Sequence, residues 1–354
     1  MKPTGVLMVG SVPGASSEEV LTRLAAALPG RLQAVPDGET GERYNYIGWQ
    51  LQRFPRIAWR SELGGTPLPE SGDAQPTFTL ADIEPTAYDD VALASYAEFK
   101  RLRQEQKIPS GVRFQIGLPS PYSVLAGHLK PEVANSIEPL YEQRFANTLD
   151  RIVAEIPHDD LVIQWDLCFE ITALEYDQGR LQHPLHKPYF SSPGGVLQGL
   201  VDRVVQQSER IPADVKLAFH LCYGDLGHKH FIEPKDTSVL VGLANALLAR
   251  ETLRSRTEWI HLPVPKDRTD SDYFAPLTAL KLNSSGSKPQ IYLGVVHAND
   301  EVGTQKRIEV AQASVPFLFG VATECGLGRT PPEEIDSILR ISREVTAEWE
   351  QENL

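Results

Sequence analysis

Cysteine, positive charge and long apolar runs are all scarce in this chain of 354 residues. Three cysteines, Cys168, Cys222 and Cys325, are too few and too odd in number for a disulfide framework, so we expect thiols that are open to metal binding or reaction. The formal net charge of -13 lacks the basic footprint that nucleic-acid binding requires. No apolar run reaches the roughly 18 residues of a membrane span, so neither nucleic acid nor a membrane is an expected partner.

The stretch "MKPTGVLMVGSVPGAS" at the N-terminus has one lysine and a short apolar run that breaks at Gly10. A signal peptide needs a longer apolar region, so we interpret this stretch as a first strand and expect a cytoplasmic protein. Hydrophobic residues make up 41% of the chain and charged residues 23%, which is enough for a sizeable core.

Eight short runs rich in apolar and β-branched residues recur along the chain, as is typical of parallel strands buried on both faces. They span residues 5–11, 31–37, 113–119, 161–166, 215–222, 258–263, 290–296 and 316–322. Segments with helical periodicity lie between most of them. The alternation predicts an α/β fold, a single (β/α)8 TIM barrel over residues 1–354. An open doubly wound sheet is the alternative, disfavoured because no Gly-rich dinucleotide fingerprint follows the first strand.

Residues 40–112 form an unusually long connection between the second and third predicted strands. We expect an insertion after strand 2 that forms a lid or wall over the barrel mouth; a purely packing element is the alternative. The insertion carries Arg43, Tyr44, Tyr46 and Trp49. Aromatic rings with an arginine suit a pocket for a flat ligand, although a stripe at helical spacing is also typical of a core.

Polar side chains end or follow most of the predicted strands. In a barrel enzyme the chemistry lies at the carboxyl ends of the strands, so we expect these side chains to share a pocket. They are Ser11, Asp37, Glu39, Ser120, Asp166, His220, Cys222, His261, His297, Asn299, Glu324 and Cys325. Polar groups are costly to bury without partners, which also favours a common site.

His220 and Cys222 lie two residues apart in "HLCYGD", so their side chains point the same way if the strand continues through both. Cys325 follows the eighth predicted strand and His261 ends the sixth. Two histidines and two cysteines can form a tetrahedral zinc site. The His-x-Cys pair alone leaves the alternative of a buried cysteine beside a hydrogen-bonded histidine.

Taken in order, these motifs resemble the catalytic barrel of the cobalamin-independent methionine synthase family, within the uroporphyrinogen decarboxylase/methionine synthase-like superfamily. "HLCYGD" (220–225) resembles its His-x-Cys-Tyr segment, and "ECGLGR" (324–329) resembles its Asp-Cys-Gly-Leu segment. Weaker matches keep the same order: "MVGSVPG", "PDGETGER", "GLPSPYSVL", "IQWD" and "YLGVVHAND". The resemblance covers nearly the whole chain except most of the insertion, and it implies a divergent member with a single barrel.

The resemblance implies a zinc-dependent methyl or alkyl transferase acting on a small thiol such as homocysteine. Zinc lowers the pKa of a bound ligand, and the thiolate rather than the thiol is the nucleophile. By matching position, His220, Cys222 and Cys325 would be zinc ligands.

The same matching places the other end of an amino-acid substrate. Glu39 and Asp166 would hold its ammonium group, and the backbone at Ser11 would hold its carboxylate. Arg43 is a further candidate for substrate binding. The alternatives are that Glu39 pairs with Arg43 and that Asp166 only bonds neighbouring amides.

Two strands depart from the family pattern. The family supplies a glutamate ligand on strand six, where this chain has His261, while Glu258 should point to the other side. We expect His261 to be the fourth zinc ligand, or else a substrate contact beside three protein ligands and water. On strand seven, His297 and Asn299 replace an Asp and a His, so His297, with Asp166, is a candidate catalytic residue and Asn299 a candidate substrate contact.

The leading hypothesis is a thiol S-methyltransferase with zinc as cofactor and with a small thiol and a methyl donor as partners. Long family members have two barrels with folate between them, so folate is not expected as the donor here. A metal-independent, decarboxylase-like barrel enzyme and a non-catalytic binder of a small sulfur or pterin compound are the alternatives. A homodimer is compatible with the sequence.

Overall fold

A computed structural model describes residues 2–45, 47–70, 74–224, 229–282 and 288–349. In these residues eight parallel strands form one sheet in the order β1-β8-β7-β6-β5-β4-β3-β2. They are β1 (Val6–Leu7), β2 (Ala34–Pro36), β3 (Arg113–Pro119), β4 (Leu161–Leu167), β5 (Lys216–Leu221), β6 (Thr257–Pro263), β7 (Gln290–Val296) and β8 (Gly320–Thr323). A parallel bridge between Ser11 and Gly38 brings the two edge strands together beyond their ends. The barrel is therefore nearly closed, and the predicted (β/α)8 TIM barrel is confirmed.

Helices connect the successive strands. They are α1 (Ser17–Ala27), α2 (Tyr88–Gln104), α3 (Pro121–His128), α4 (Pro131–Glu155), α5 (Phe169–Asp177), α6 (Gly195–Ser208), α7 (Ser238–Leu248), α8 (Glu251–Arg254), α9 (Ser271–Phe274), α10 (Glu301–Ser314) and α11 (Ile335–Val345). Helix α1 shows how the sequence specifies them: Ser16 caps its first turn by accepting from the Glu19 amide, and Leu21 and Leu24 are fully buried. Among the described residues, no helix is both long and apolar enough to cross a membrane.

The side chains inside the barrel form layers, with an apolar layer below and polar side chains above it, near the carboxyl ends of the strands. A small apolar cluster that includes Val162, Ala218 and Trp259 fills its lower part. Two residues further along β4, Gln164 accepts from the Trp259 indole at 3.0 Å and donates to Asp166 Oδ1 at 2.8 Å. Because inward-facing residues alternate along a strand, the same step on β5 leads from Ala218 to the inward His220.

The register of three neighbouring strands places polar residues side by side near the carboxyl ends. Asp166 on β4 pairs with His220 on β5, and His220 pairs with His261 on β6. Adjacent strands lie about 4.8 Å apart, so these three side chains are near neighbours on the inner face of the barrel.

The segment between β2 and β3 consists of short 3-10 turns followed by α2. Lys130 at the start of α4 fastens it by donating to the carbonyl oxygens of Ile57 and Thr66, at 2.8 and 2.6 Å. Phe54 and Trp59 are buried in the main core. The expected role of residues 40–112 as a lid or wall stays a prediction.

Trp49 and Tyr44, the described aromatic residues at the start of this segment, differ in their surroundings. Trp49 packs edge-on against Tyr88, with ring centroids 5.3 Å apart, whereas Tyr44 is half exposed. Tyr46 lies outside the described residues. Trp49 is therefore a packing residue, as the core alternative expected.

Candidate metal centre

His220, Cys222 and Cys325 converge at the mouth of the barrel. The two sulfur atoms are 3.6 Å apart, and Cys325 Sγ lies 3.6 Å from His220 Nε2. All three donor atoms lie within 4.8 Å of one another. Tetrahedral zinc bonds of about 2.3 Å would separate two sulfurs by about 3.8 Å, so the observed spacing fits the ion. Within the residues that the structure describes, no other group of three such donors is as closely spaced.

The backbone at the end of β5 explains why Cys222 points into the mouth. Its amide donates to the Leu167 carbonyl at 3.1 Å and so extends the pairing with β4 by one step. The chain then turns at Gly224, which has a φ of +86° and whose amide donates to Cys222 Sγ at 3.2 Å. Only glycine adopts this left-handed conformation without strain, so the turn in "HLCYG" is specified locally. Asp225, the last residue of the motif, lies outside the described residues.

The surroundings of His220 and Cys222 favour their uncharged forms. Burial first, and then the neighbouring His261, lowers the pKa of His220 well below its usual value. The pKa of Cys222 is raised, chiefly by a hydrogen bond with the Cys168 thiol and also by burial. A neutral imidazole offers a lone pair, and a bound metal would supply the positive charge that deprotonates the thiols.

His261 does not join this group, which differs from the expectation of a fourth ligand. Its Nδ1 lies 2.7 Å from His220 Nδ1, and its Nε2 donates to the Thr323 carbonyl oxygen at 2.9 Å. Both ring nitrogens therefore already have partners. Burial lowers the pKa of His261 to about 3, so the ring is neutral at ordinary pH.

A cavity of about 490 Å³ opens beside the two sulfurs. His297 lines it, as expected for a residue that follows β7, and its Nε2 donates to the Val264 carbonyl oxygen at 2.9 Å. Burial lowers the pKa of His297, while the nearby Glu324 carboxylate opposes that shift. A neutral ring with Nε2 protonated keeps Nδ1 as a proton acceptor.

The same cavity contains an ion pair that the sequence did not reveal. His230 Nε2 lies 2.8 Å from Glu324 Oε1, and His230 Nδ1 lies 3.0 Å from Glu233 Oε1. Burial disfavours the charged ring, but the two carboxylates outweigh it and raise the pKa of His230 to about 9. The sequence near His230, eight residues after Cys222, could not predict this ion pair, because the partner Glu324 comes from the loop after β8.

Glu39, which follows β2, and Asp166 on β4 form a second, acidic group at the mouth. Both border Gly117: a Cβ atom there would lie 3.1 Å from Glu39 Oε1 and 3.5 Å from Asp166 Oδ2. The missing side chain at Gly117 therefore leaves room for two carboxylates. Burial, then Asp166 and Asp37, raises the pKa of Glu39 well above its usual value. Such a pair favours a cationic group as its ligand.

Arg43, a candidate for substrate binding, is paired with a different acid. Its guanidinium donates to Asp37 Oδ2 at 2.8 Å, and the Ser95 hydroxyl donates to the same atom at 2.6 Å. The Glu39 amide donates to Asp37 Oδ1 at 2.9 Å. Asp37 thus fixes both the Arg43 side chain and the left-handed backbone at Glu39, which has a φ of +48°.

Ser11 lies between the two groups. Its hydroxyl accepts from the Gly328 amide at 3.0 Å, and its carbonyl accepts from the Leu327 amide at 2.6 Å. The end of β1 is thereby joined to the "ECGLGR" loop that carries Cys325. Asn299, by contrast, is exposed and its amide donates to the Ser337 hydroxyl, so the structure does not bring it to the cavity as expected. The chain turns away at this residue, with a φ of +55°.

Comparisons with solved structures find methionine synthase-like barrels. A B12-independent methionine synthase from Shewanella sp. W3-18-1, in complex with selenomethionine, is 11% identical over 97% of this chain and 96% of that one, with a TM-score of 0.52. A candidate vitamin-B12-independent methionine synthase from Listeria monocytogenes is 13% identical over 93% of this chain and 85% of that one, with a TM-score of 0.49. At 11% identity, the likeness to the Shewanella structure shows a related fold. No protein-family model and no curated protein matches the sequence.

Proposed function

We propose that this protein is a zinc-dependent transferase that activates a small thiol for methyl or alkyl transfer. The observation that carries the proposal is the convergence of His220 Nε2, Cys222 Sγ and Cys325 Sγ within 4.8 Å at strand ends of the barrel. One imidazole and two thiolates are donors that zinc prefers. Three protein ligands leave a fourth coordination position, as catalytic zinc sites do.

Zinc held there would supply the charge that keeps a substrate thiol deprotonated near neutral pH. The chain's own residues would orient the rest of the substrate. Glu39 and Asp166 would bind an ammonium group, because two buried carboxylates close together are stabilised by a cation. Asp166 is in register with the proposed ligand His220, so thiol and ammonium groups would be separated by only a few carbon atoms.

These distances favour a small amino thiol as methyl acceptor. The fold shared with a methionine synthase that was solved with selenomethionine supports the same class of compound. The cavity of about 490 Å³ beside the sulfurs is large enough for a separate methyl donor. His297, which lines this cavity, would carry a proton on its Nδ1 during the transfer.

The test begins with zinc quantification and native mass spectrometry of protein purified without chelators. We expect about one zinc per chain. Metal-depleted and zinc-restored protein are then assayed with candidate methyl donors and two acceptors, homocysteine and the matched thiol without an amino group. Wild-type protein that neither carries nor takes up zinc overturns the proposal. Stoichiometric zinc without turnover on any thiol would favour a non-catalytic binder.

A further inference from the structure

Two buried histidines form a hydrogen-bonded chain that ends at the backbone of β8. His220 Nδ1 and His261 Nδ1 are 2.7 Å apart, and His261 Nε2 is 2.9 Å from the Thr323 carbonyl oxygen. Both rings are almost completely inaccessible to solvent. On the other side of His220, Nε2 faces Cys325 Sγ at 3.6 Å.

The positions of the protons in this chain follow from its last member. A carbonyl oxygen only accepts hydrogen bonds, so His261 Nε2 must carry a proton. In a neutral ring the other nitrogen is then an acceptor, so His261 Nδ1 offers a lone pair to His220. The proton between the rings therefore belongs to His220 Nδ1. His220 Nε2, the atom that faces the two thiols, is left with its lone pair directed at the metal position.

The geometry points to His261 as a positioning residue that holds His220 in the tautomer and ring orientation needed for metal binding. This role rests on the metal site of the proposed function. It replaces the role of a direct ligand, because both ring nitrogens of His261 already have hydrogen-bond partners and neither is left to bind the metal. Partners that accept a hydrogen bond from a metal-binding histidine typically contribute 10-fold to 100-fold to metal affinity.

Two substitutions separate the hydrogen bonds of His261 from its bulk. Glutamine can reproduce both, because its amide oxygen accepts from His220 and its amide nitrogen donates to Thr323. Leucine fills similar space and makes neither bond. His261→Gln is therefore the matched control for His261→Leu, and thermal unfolding of the metal-free variants checks that both fold.

The first measurement is zinc affinity, by competition with a chromophoric chelator. We expect affinity about 10-fold to 100-fold weaker in His261→Leu and close to wild type in His261→Gln. At saturating zinc, X-ray absorption should show the same two-sulfur environment in all three proteins. Equal affinity in His261→Leu and wild type overturns the positioning role. Loss of one nitrogen ligand in both variants would instead make His261 a ligand.

The second measurement needs neither zinc nor turnover. Nitrogen-15 correlation spectra of metal-free protein labelled at histidine should show His220 protonated at Nδ1, with its signals assigned by their absence from His220→Gln. A proton at His220 Nε2 overturns the inference. Wild-type protein that binds no zinc overturns the proposed function instead, and the tautomer measurement then still decides what His261 does.

Discussion

Two groups of side chains at the carboxyl ends of the barrel strands differ in chemistry: one offers nitrogen and sulfur donors, and the other offers carboxyl groups. At β5 and β8, His220, Cys222 and Cys325 bring nitrogen and sulfur donors together, and the surroundings of His220 and Cys222 favour their uncharged forms. At β2 and β4, Glu39 and Asp166 are buried carboxyl groups, and burial, followed by the neighbouring Asp166, raises the pKa of Glu39. Under the proposed function, the first group would take a metal cation and the second an organic cation.

This difference is the reason for proposing a small amino thiol as substrate rather than a simple thiol or a simple amine. Its sulfur would go to the uncharged donors and its ammonium group to the acids. The two groups are joined through Ser11, whose hydroxyl accepts from the Gly328 amide in the loop of Cys325 and which forms a parallel bridge with Gly38, the residue before Glu39. Because the two groups differ in chemistry, substitution of an acidic residue should leave zinc binding intact, and substitution of a zinc ligand should leave the acidic pair intact.

The largest effect is expected from removing both sulfurs. Cys222→Ala with Cys325→Ala should reduce zinc from about one per chain to near zero, because a tetrahedral site cannot survive the loss of two ligands. Elemental analysis of the purified variant measures this. The matched control on the acidic side, Glu39→Gln, should keep its zinc. Zinc loss in both variants would show that the two groups do not act separately.

A substitution of Asp166 should change the preference of the enzyme between an amino thiol and the matched thiol without an amino group. Asp166→Asn removes a charged partner of the ammonium group, a contact of about 1.5–3 kcal/mol, so KM for an amino thiol should rise roughly 10-fold to 100-fold. KM for the matched thiol without an amino group should change little. Steady-state kinetics with both acceptors provides the comparison. Equal effects on the two acceptors would place Asp166 elsewhere in the mechanism.

The pH dependence of stability tests the acidic pair itself. Burial raises the pKa of Glu39, so the folded state binds this proton more tightly than the unfolded state and its contribution to stability falls as pH rises above about 4.5. Glu39→Gln should therefore melt about 1–4 °C higher than wild type at pH 8, since an imperfectly compensated buried charge costs about 1–3 kcal/mol. The difference should shrink towards pH 4.5. A lower melting temperature at pH 8 would contradict this account.

The smallest effect is expected at the ion pair of His230 in the cavity. Its pKa is raised to about 9, so the stabilisation is present in full below pH 6.5 and is lost as pH rises through 9. His230→Gln should abolish this slope, with a difference below about 1 kcal/mol because the pair is partly screened by solvent. Melting curves at pH 6, 8 and 10 measure it. If the stability difference between wild type and His230→Gln grew with pH, the ion pair would not be the source of the stabilisation.

The barrel was predictable because its signals are local. Each strand is a short apolar run, and the run at residues 290–296 coincides with the observed β7. The eighth run was placed too early, since β8 begins at Gly320. Residues before it are shaped by a different contact: the Phe319 carbonyl accepts from the Thr4 amide below the barrel. Such a pairing partner from the other end of the chain leaves no trace in the local pattern.

The candidate site was predictable only in part, for the same reason. The alternation of side chains places His220 and Cys222 on one face of the chain, and the structure brings them to Cys325. The same spacing argument could not distinguish a metal ligand from a residue that hydrogen-bonds to a ligand, so His261 was expected among the metal donors. Its actual neighbours, His220 and Thr323, come from two other strands. The structure leaves Asn299 exposed, and the left-handed turn at this residue is not evident from its neighbours in the sequence.

The hydrogen-bonded chain behind His220 ends at an atom that no amino-acid substitution can delete. The Thr323 carbonyl belongs to the main chain of β8, two residues before Cys325, and the Thr323 hydroxyl also donates to the Cys325 carbonyl at 2.7 Å. Replacing Thr323 therefore leaves the acceptor in place. Within this pair of hydrogen bonds, only the side chain at position 261 can be changed by substitution. A residue there that accepts from His220 and donates to the Thr323 carbonyl oxygen would keep His220 in the same orientation.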